Sequence, residues 1–124
     1  MTTKSVAEKA RVKPGTSIAM LNAVPEVVAA LGLQDPAITA DPREAKLVFL
    51  FVHTRAELDS LMPKAAGAMA AASHLWVFFK KGAASAGRDM NRDDVWGVAE
   101  KQSLRPVGLL SVDDTWSAFR FRRG

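Results

Sequence analysis

The stretch Lys46-Leu-Val-Phe-Leu-Phe-Val-His53 decides the fold of this chain. Its six central residues, Leu47 to Val52, are all apolar, so a strand formed from them has an apolar surface on both faces. Parallel sheets are covered by helices on both faces, whereas antiparallel sheets commonly leave one face to water. The stretch therefore predicts a central strand of an α/β sheet with helices above and below it.

The residues before this strand show a strand pattern, a helix pattern and a connector. Val12-Lys-Pro-Gly15 is a turn signal that leads into a first strand over Ile18 to Leu21. Pro25 is placed to begin a helix with one apolar face, and Gly32 is placed to end it. From Leu33 to Ala45, two Asp-Pro pairs predict an extended connector that is too short for another βα unit.

The residues after the central strand repeat the alternation and then change character. Thr54-Arg-Ala-Glu57 has capping-box spacing and predicts a helix that Pro63 should kink or restart. Ser73 to Phe79 reads as another apolar strand, and a further helix is expected from an N-cap at Asn91 to a point before Pro106. Two last strands, Val107 to Val112 and Ala118 to Arg122, are expected to form a hairpin.

This succession of elements resembles a shortened class I methyltransferase-like Rossmann domain over roughly residues 12 to 123. The chain is also similar to small bacterial proteins of unknown function in five places: Val12-Lys-Pro-Gly15, Leu47 to Val52, Leu75-Trp76 with Lys80-Lys-Gly82, Val112-Asp-Asp-Thr-Trp-Ser117, and Arg120-Phe121. The resemblance implies an α/β fold, a small three-layer Rossmann-like open sheet of about five strands. Most strands are expected to be parallel, with a C-terminal antiparallel hairpin and strand order 1-2-3-5-4.

Length and composition limit the classes of protein that the chain can represent. With 124 residues, of which 48% are hydrophobic, it can bury a core without disulfides or metals. We expect a flexible basic N-terminal arm over residues 1–11 and a single Rossmann-like domain over residues 12–124. The absence of cysteine excludes disulfides, thiolate zinc sites and cysteine nucleophiles. No apolar run approaches the ~20 residues of a membrane span, and we expect a cytoplasmic protein with no membrane partner.

The net charge of +4 is concentrated at the two ends of the chain. Residues 1–13 carry four basic residues against Glu8, which gives +3, and the last five residues add +3, so the remainder sums to −2. Basic ends of this kind are typical of solvated termini, and no helix-turn-helix, zinc or aromatic RNA-binding signature accompanies them. We therefore do not expect a nucleic-acid partner beyond nonspecific, salt-sensitive contact.

The chain departs from the methyltransferase pattern where the cofactor would sit. The resemblance implies a Gly-x-Gly-type loop after the first strand, but this chain has Asn22-Ala-Val-Pro25. The acidic residue that would bind the ribose should end a second strand, whereas Asp35 and Asp41 are predicted to lie in the connector. The sequence therefore argues against an enzyme that uses S-adenosylmethionine, and we expect no cofactor.

A candidate ligand-binding rim lies at the carboxyl ends of the strands, where open parallel sheets bind ligands. Its members are polar or basic: Asn22, His53, Thr54, Lys80, Lys81 and Arg88. Such a rim can accept a phosphate or carboxylate of a small anionic ligand, although the lysines can also simply mark the exit of a strand into water. His53 could act as a general base, but the sequence indicates no carboxylate that would orient it. His74 lies at the opposite end of its strand, and no metal-ligand spacing occurs.

A second candidate site is the segment between the last two strands. Asp113, Asp114, Thr115 and Trp116 are richer in chemistry than a hairpin turn requires. Trp116 is interpreted either as a cover for the end of the sheet or as a stacking surface beside the acidic pair. Trp76 and Trp96 are interpreted as packing residues.

Two hypotheses about function follow from these patterns. The first is a non-catalytic domain that binds a small anionic ligand or a protein partner. The alternative is a degenerate or partner-completed methyltransferase-like enzyme that uses the rim. The first strand is expected at an edge of the sheet, covered either by the Leu33 to Ala45 connector or by a second copy of the chain in a homodimer.

Overall fold

The computed structural model describes residues 12–13, 15–33, 37–39, 41–70, 73–80, 92–112 and 115–123. The predicted basic arm, residues 1–11, lies outside these ranges, as do Pro14, Asp35 and the predicted N-cap Asn91. None of the described helices is long and apolar enough to cross a membrane.

The described ranges contain six strands, three α-helices and one 3₁₀ helix. In chain order they are β1 (Ser17–Leu21), α1 (Pro25–Leu31), β2 (Ala37–Ile38), the 3₁₀ helix (Pro42–Glu44), β3 (Leu47–Phe51), α2 (Arg55–Ala68), β4 (His74–Lys80), α3 (Arg92–Lys101), β5 (Leu104–Ser111) and β6 (Trp116–Arg123). The predicted ends of α1 are confirmed. Pro25 is its first residue, and Gly32 is its C-cap with φ 68°.

The strands form one mixed sheet in the order β2-β1-β3-β4-β6-β5. The pairs β2–β1, β1–β3 and β3–β4 are parallel, whereas β6 is antiparallel to both β4 and β5. Without β2, this is the predicted order 1-2-3-5-4. The predicted fold class, a mostly parallel Rossmann-like sheet with a C-terminal antiparallel hairpin, is confirmed.

The short strand β2 is the main addition to the predicted sheet. Ala37 and Ile38 pair with Ser17 and Ile18, and the amide of Thr39 donates to the carbonyl of Ile18 at 2.9 Å. The sequence analysis predicted an extended connector but no strand within it. Its pairing shows that the connector covers the edge of β1, one of the two possibilities that the sequence left open.

Both faces of β3 are buried, as its unbroken apolar run predicts. Val48, Leu50 and Val52 lie in a core cluster with α2 and α3, all with 0% exposure. Phe49 and Phe51 lie in a second cluster on the other face of the sheet, which includes residues of α1. The three layers of the predicted fold are therefore helix, sheet and helix.

Two prolines lie inside regular elements of the structure. Helix α2 runs through Pro63 without restarting. Because Pro63 has no backbone N–H, the carbonyl of Asp59 lacks its helical hydrogen bond. Both residues are exposed, so water can donate to that carbonyl instead. Pro106 lies inside β5, which begins at Leu104 rather than at Val107. An edge strand tolerates proline, and the register shifts between Pro106 and Gly108.

The tryptophans and the last arginine add detail that the sequence did not supply. Trp76 is buried as expected, but Trp96 is 42% exposed and meets the Phe119 ring in a T-shaped arrangement with 6.2 Å between ring centroids. The guanidinium of Arg123 donates to the carbonyls of Ala66 and Met69 at the end of α2. This terminal arginine therefore caps a helix rather than extending into solvent.

Replacing Phe51 by alanine should lower the free energy of unfolding by about 3–5 kcal/mol, because its ring has 0% exposure and stacks on Phe78 at 4.6 Å. Val107→Ala serves as the control, since Val107 is 48% exposed and its truncation should cost less than about 0.5 kcal/mol. Urea denaturation measures both values. Equal effects of the two substitutions would contradict the two-sided burial of β3.

Candidate functional site

Polar side chains meet at the carboxyl edge of the parallel strands. Asn22 follows β1, His53 and Thr54 follow β3, and Lys80 ends β4. Because β6 is antiparallel, it begins at the same edge, and Trp116 pairs directly with Lys80. The structure thus joins the described members of two sets that the sequence analysis treated as separate sites.

Asn22 connects the ends of β1 and β3. Its backbone has φ 59°, a left-handed conformation that asparagine tolerates better than most residues. Its side-chain amide donates to the carbonyl of Phe51 at 2.8 Å and to Oε2 of Glu57 at 3.2 Å. One side chain therefore ties two neighbouring strands to the first turn of α2.

The position of Asn22 coincides with the topological switch point of the sheet. The chain leaves β1 toward β2 on one side and then crosses to β3 on the other side. The crevice at the carboxyl ends of two such strands is where open α/β sheets bind ligands. Here the Asn22 amide bridges that crevice.

Glu57 is a member of this site that the sequence analysis assigned only to helix capping. Thr54 accepts a hydrogen bond from the Glu57 amide at 3.1 Å, as the capping box predicts. The Glu57 carboxylate, however, accepts from the amide of His53 at 2.6 Å, one residue before the cap. Its Oε1 also lies 3.1 Å from Nδ1 of His53. The interpretation that no carboxylate orients His53 was wrong, and the i, i+4 spacing of the two residues was the signal for it.

Hydrogen bonds set the ionisation of Glu57. Partial burial would raise the pKa of this carboxyl. Hydrogen bonds from the His53 amide, the Asn22 amide and the His53 ring outweigh the effect of burial and hold the pKa below the ordinary 4.5. Glu57 is thus a carboxylate at neutral pH and can only accept hydrogen bonds. Nδ1 of His53 must then carry the hydrogen that it shares with Glu57, which leaves Nε2 for another contact.

Trp116 contacts both of the basic rim side chains that lie in the described ranges, His53 and Lys80. Its ring is 5.4 Å from the His53 ring in an edge-on arrangement, and the Lys80 ammonium lies 5.8 Å from its centroid. Only 6% of Trp116 is exposed, so little of its ring is open to a stacking ligand. This geometry favours its interpretation as a cover for the end of the sheet.

The remaining sequence-predicted residues divide into two groups. Lys81, Arg88, Asp113 and Asp114 lie outside the described residues, whereas Thr115 is described and exposed. Within the described ranges, no three His, Cys, Asp or Glu side chains come together as a metal site would require. The described site is therefore a small set of polar and basic groups around Asn22, His53, Glu57, Lys80 and Trp116.

The fold that carries this rim is the class I methyltransferase-like Rossmann fold. No protein-family model matches the chain, and no curated protein does. Among solved structures, a TehB-like SAM-dependent methyltransferase from Corynebacterium glutamicum is 12% identical with a TM-score of 0.56. The match covers 94% of this chain and 85% of that methyltransferase. Magnesium protoporphyrin IX methyltransferase from Synechocystis, solved with bound SAH, is 11% identical with a TM-score of 0.59. The match covers 96% of this chain and 80% of the methyltransferase.

A third neighbour is considerably longer than this chain. LepI in complex with SAM is 18% identical with a TM-score of 0.56; the match covers 96% of this chain but only 39% of LepI. The chain thus spans about two fifths of the length of that neighbour. At these identities the likenesses establish the fold alone.

The described residues do not fit a nucleotide cradle of the kind that the resemblance implies. Helix α1 has seven residues, its N-cap Val24 makes no side-chain capping bond, and Pro25 removes an amide from its first turn. Strand β2 ends opposite Ile18, three residues before β1 ends. Asp41 follows this strand, but its side chain accepts from the Arg43 amide and caps the 3₁₀ helix.

The low pKa of Glu57 predicts a pH-dependent contribution to stability. A carboxyl whose pKa is lowered by folding stabilises the folded state above its unfolded pKa and loses this contribution as the pH falls. Glu57→Gln should therefore lower the free energy of unfolding at pH 7, by less than about 1 kcal/mol for a side chain this exposed. The difference from the parent protein should shrink as the pH falls below 4.5.

Urea denaturation between pH 3 and pH 7 measures this difference. Glu100→Gln is the matched control, since Glu100 is an exposed glutamate on α3, away from the rim. An effect of Glu57→Gln that is the same at pH 3 and pH 7 would mean that the charge of Glu57 does not stabilise the fold.

Proposed function

We propose that this chain is a non-catalytic Rossmann-like domain that binds a small anionic ligand at its carboxyl rim. The observation that carries the proposal is the Asn22 amide, which donates across the switch point to Phe51 at 2.8 Å. A side chain of the protein itself occupies the crevice in which comparable folds seat a nucleotide. The basic groups beside the crevice remain available for a different and smaller ligand.

Lys80 is the anion-binding group in this proposal. Its ammonium lies against the Trp116 ring at 5.8 Å, which favours one position for the charge at the edge of the sheet. Trp116 can occupy only one side of the Lys80 ammonium, so some of the N–H donors of Lys80 remain for a phosphate or carboxylate. The half-buried stem of the side chain limits its motion.

His53 adds a requirement for a hydroxyl group on the ligand. With Nδ1 bound to Glu57, the Nε2 atom remains for a hydrogen bond to a hydroxyl, a group that can both donate and accept. The His53 side chain is 39% exposed, so a small molecule can reach this atom. The rim therefore suits a molecule that carries an anionic group next to a hydroxyl, such as a hydroxy acid or a small phosphorylated alcohol.

Titration calorimetry at low salt tests this assignment with glycerol 3-phosphate as the probe. We expect the parent protein to bind it and Lys80→Met to weaken binding by about tenfold, since methionine keeps contact with Trp116 but lacks the charge. Lys64→Met is the control, because Lys64 is exposed on α2 and away from the rim. S-adenosylmethionine, S-adenosylhomocysteine and NAD should not bind.

Three results would overturn the proposal. Micromolar binding of any of the three nucleotides would mean that the crevice is open. Equal loss of glycerol 3-phosphate binding in Lys80→Met and Lys64→Met, or no binding by the parent protein, would remove the rim as the site.

A degenerate or partner-completed enzyme is a second candidate, favoured by the His53–Glu57 pair. A carboxylate 3.1 Å from Nδ1 holds the imidazole in the tautomer whose Nε2 can take a proton, as a general base requires. The neighbours of this fold include methyltransferases. A partner chain would have to supply the cofactor seat that the described residues do not form.

His53→Ala distinguishes a functional role of this pair from a structural one. If His53 acts on a ligand, the substitution should reduce ligand affinity or turnover and leave the melting temperature unchanged. Thermal unfolding and calorimetry on the same sample measure both. A lower melting temperature with unchanged affinity would assign His53 to the stability of the rim alone.

A further inference from the structure

A second group of basic side chains lies at the opposite end of the sheet, on one face of β4, β6 and β5. In antiparallel pairs, residues directly opposite each other project on the same face. The register therefore forms two rows across three strands. The first row is His74, Arg122 and Arg105, and the second row is Trp76, Arg120 and Gly108. We call these six residues the arginine face.

Charge is unbalanced on the arginine face. Arg105 and Arg122 are exposed and directly opposite each other, an arrangement in which like charges repel. Neither forms a salt bridge with an acidic residue in the described part of the chain. Neighbouring strands are about 4.8 Å apart, so both guanidinium groups can reach one anion. A bound anion would offset the repulsion between them.

His74 contributes a hydrogen-bond donor to the same row. Nε of Arg120 donates to Nδ1 of His74 at 2.7 Å, so Nδ1 is the acceptor. Burial, together with the positive charges of Arg120 and Arg122, lowers the pKa of His74 below its ordinary 6.5 and favours the neutral ring. The one hydrogen of that ring is then on Nε2, which is a hydrogen-bond donor.

Trp76 supplies an independent sign that an acceptor belongs here. Its indole is only 4% exposed, and Nε1 has no hydrogen-bond partner among the described residues. The guanidinium of Arg120 lies 5.6 Å from the centroid of this ring, so the indole sits within the arginine face. A buried N–H without an acceptor destabilises the folded state, and an oxygen-rich ligand could supply that acceptor.

We propose that the arginine face binds a small phosphorylated ligand through its phosphate oxygens. The described groups are donors, and the fork of a guanidinium matches the geometry of phosphate oxygens. His74 and Lys80 lie at opposite ends of β4, about 20 Å apart at 3.3 Å per residue, so this site is separate from the rim.

Calorimetric titration with inorganic pyrophosphate at low salt tests the proposal. We expect the parent protein to bind pyrophosphate, and Arg105→Gln and Arg122→Gln each to weaken binding by about tenfold. Arg43→Gln should not affect it, since Arg43 is exposed on the 3₁₀ helix near the other edge of the sheet. Unchanged melting temperatures of the variants would show that the loss is not caused by unfolding.

The possible results separate this site from the alternatives. The same titrations in a Lys80→Met background, which removes the charge of the rim lysine, measure the arginine face alone, so failure at one end of the sheet does not imply failure at the other. No binding by the parent protein, or equal loss in Arg43→Gln, would overturn the proposal, because the second result reflects net charge alone. Tighter binding of a single-stranded oligonucleotide than of pyrophosphate, lost in the same arginine variants, would replace the small ligand with a nucleic acid.

Discussion

Burial of β3 and β4 on both faces is the constraint on which the rest of the structure depends. Strands with no polar face are stable only between two layers of helices, which places them at the centre of a parallel sheet. Parallel pairing brings the carboxyl ends of β1, β3 and β4 to one edge, where Asn22, His53 and Lys80 meet. The two basic regions at the two ends of the sheet follow from the same arrangement.

The link from β1 to β3 then decides what the carboxyl edge can bind. In folds of this class the crevice between two such strands is a nucleotide site because little side-chain volume lies there. In this chain Asn22 lies there in a left-handed conformation, and its amide makes two hydrogen bonds, one to a strand carbonyl and one to Glu57. Moving that side chain aside would break both bonds and leave the Glu57 carboxylate with fewer donors, which opposes entry of a large ligand.

Sequence patterns predicted the parts of the fold that depend on local hydrophobicity, and a family resemblance supplied the strand order. They failed where structure depends on pairing between distant segments. Ala37 and Ile38 are exposed and carry no strand pattern, and they form β2 only because the edge of β1 is available. The arginine face depends on the bulge between Pro106 and Gly108, which brings Arg105 and Gly108 to the same face although they are three residues apart.

The sequence predicted where the candidate site lies in the fold but not which of its side chains contact each other. Residues at strand ends were identified from the strand pattern alone, whereas the contact between Lys80 and Trp116 depends on the register of β6 against β4. Glu57 was assigned to helix capping, and the same carboxylate also orients His53. The i, i+4 spacing of His53 and Glu57 indicated this second role, but helix capping already accounted for Glu57.

A high-resolution crystal structure of the protein soaked in millimolar S-adenosylmethionine tests the central claim most directly. The account predicts that Nδ2 of Asn22 stays within hydrogen-bonding distance of the Phe51 carbonyl and that no density appears over Ala23 and Val24. An adenosine moiety over those two residues, with the Asn22 side chain turned away from Phe51, would contradict it.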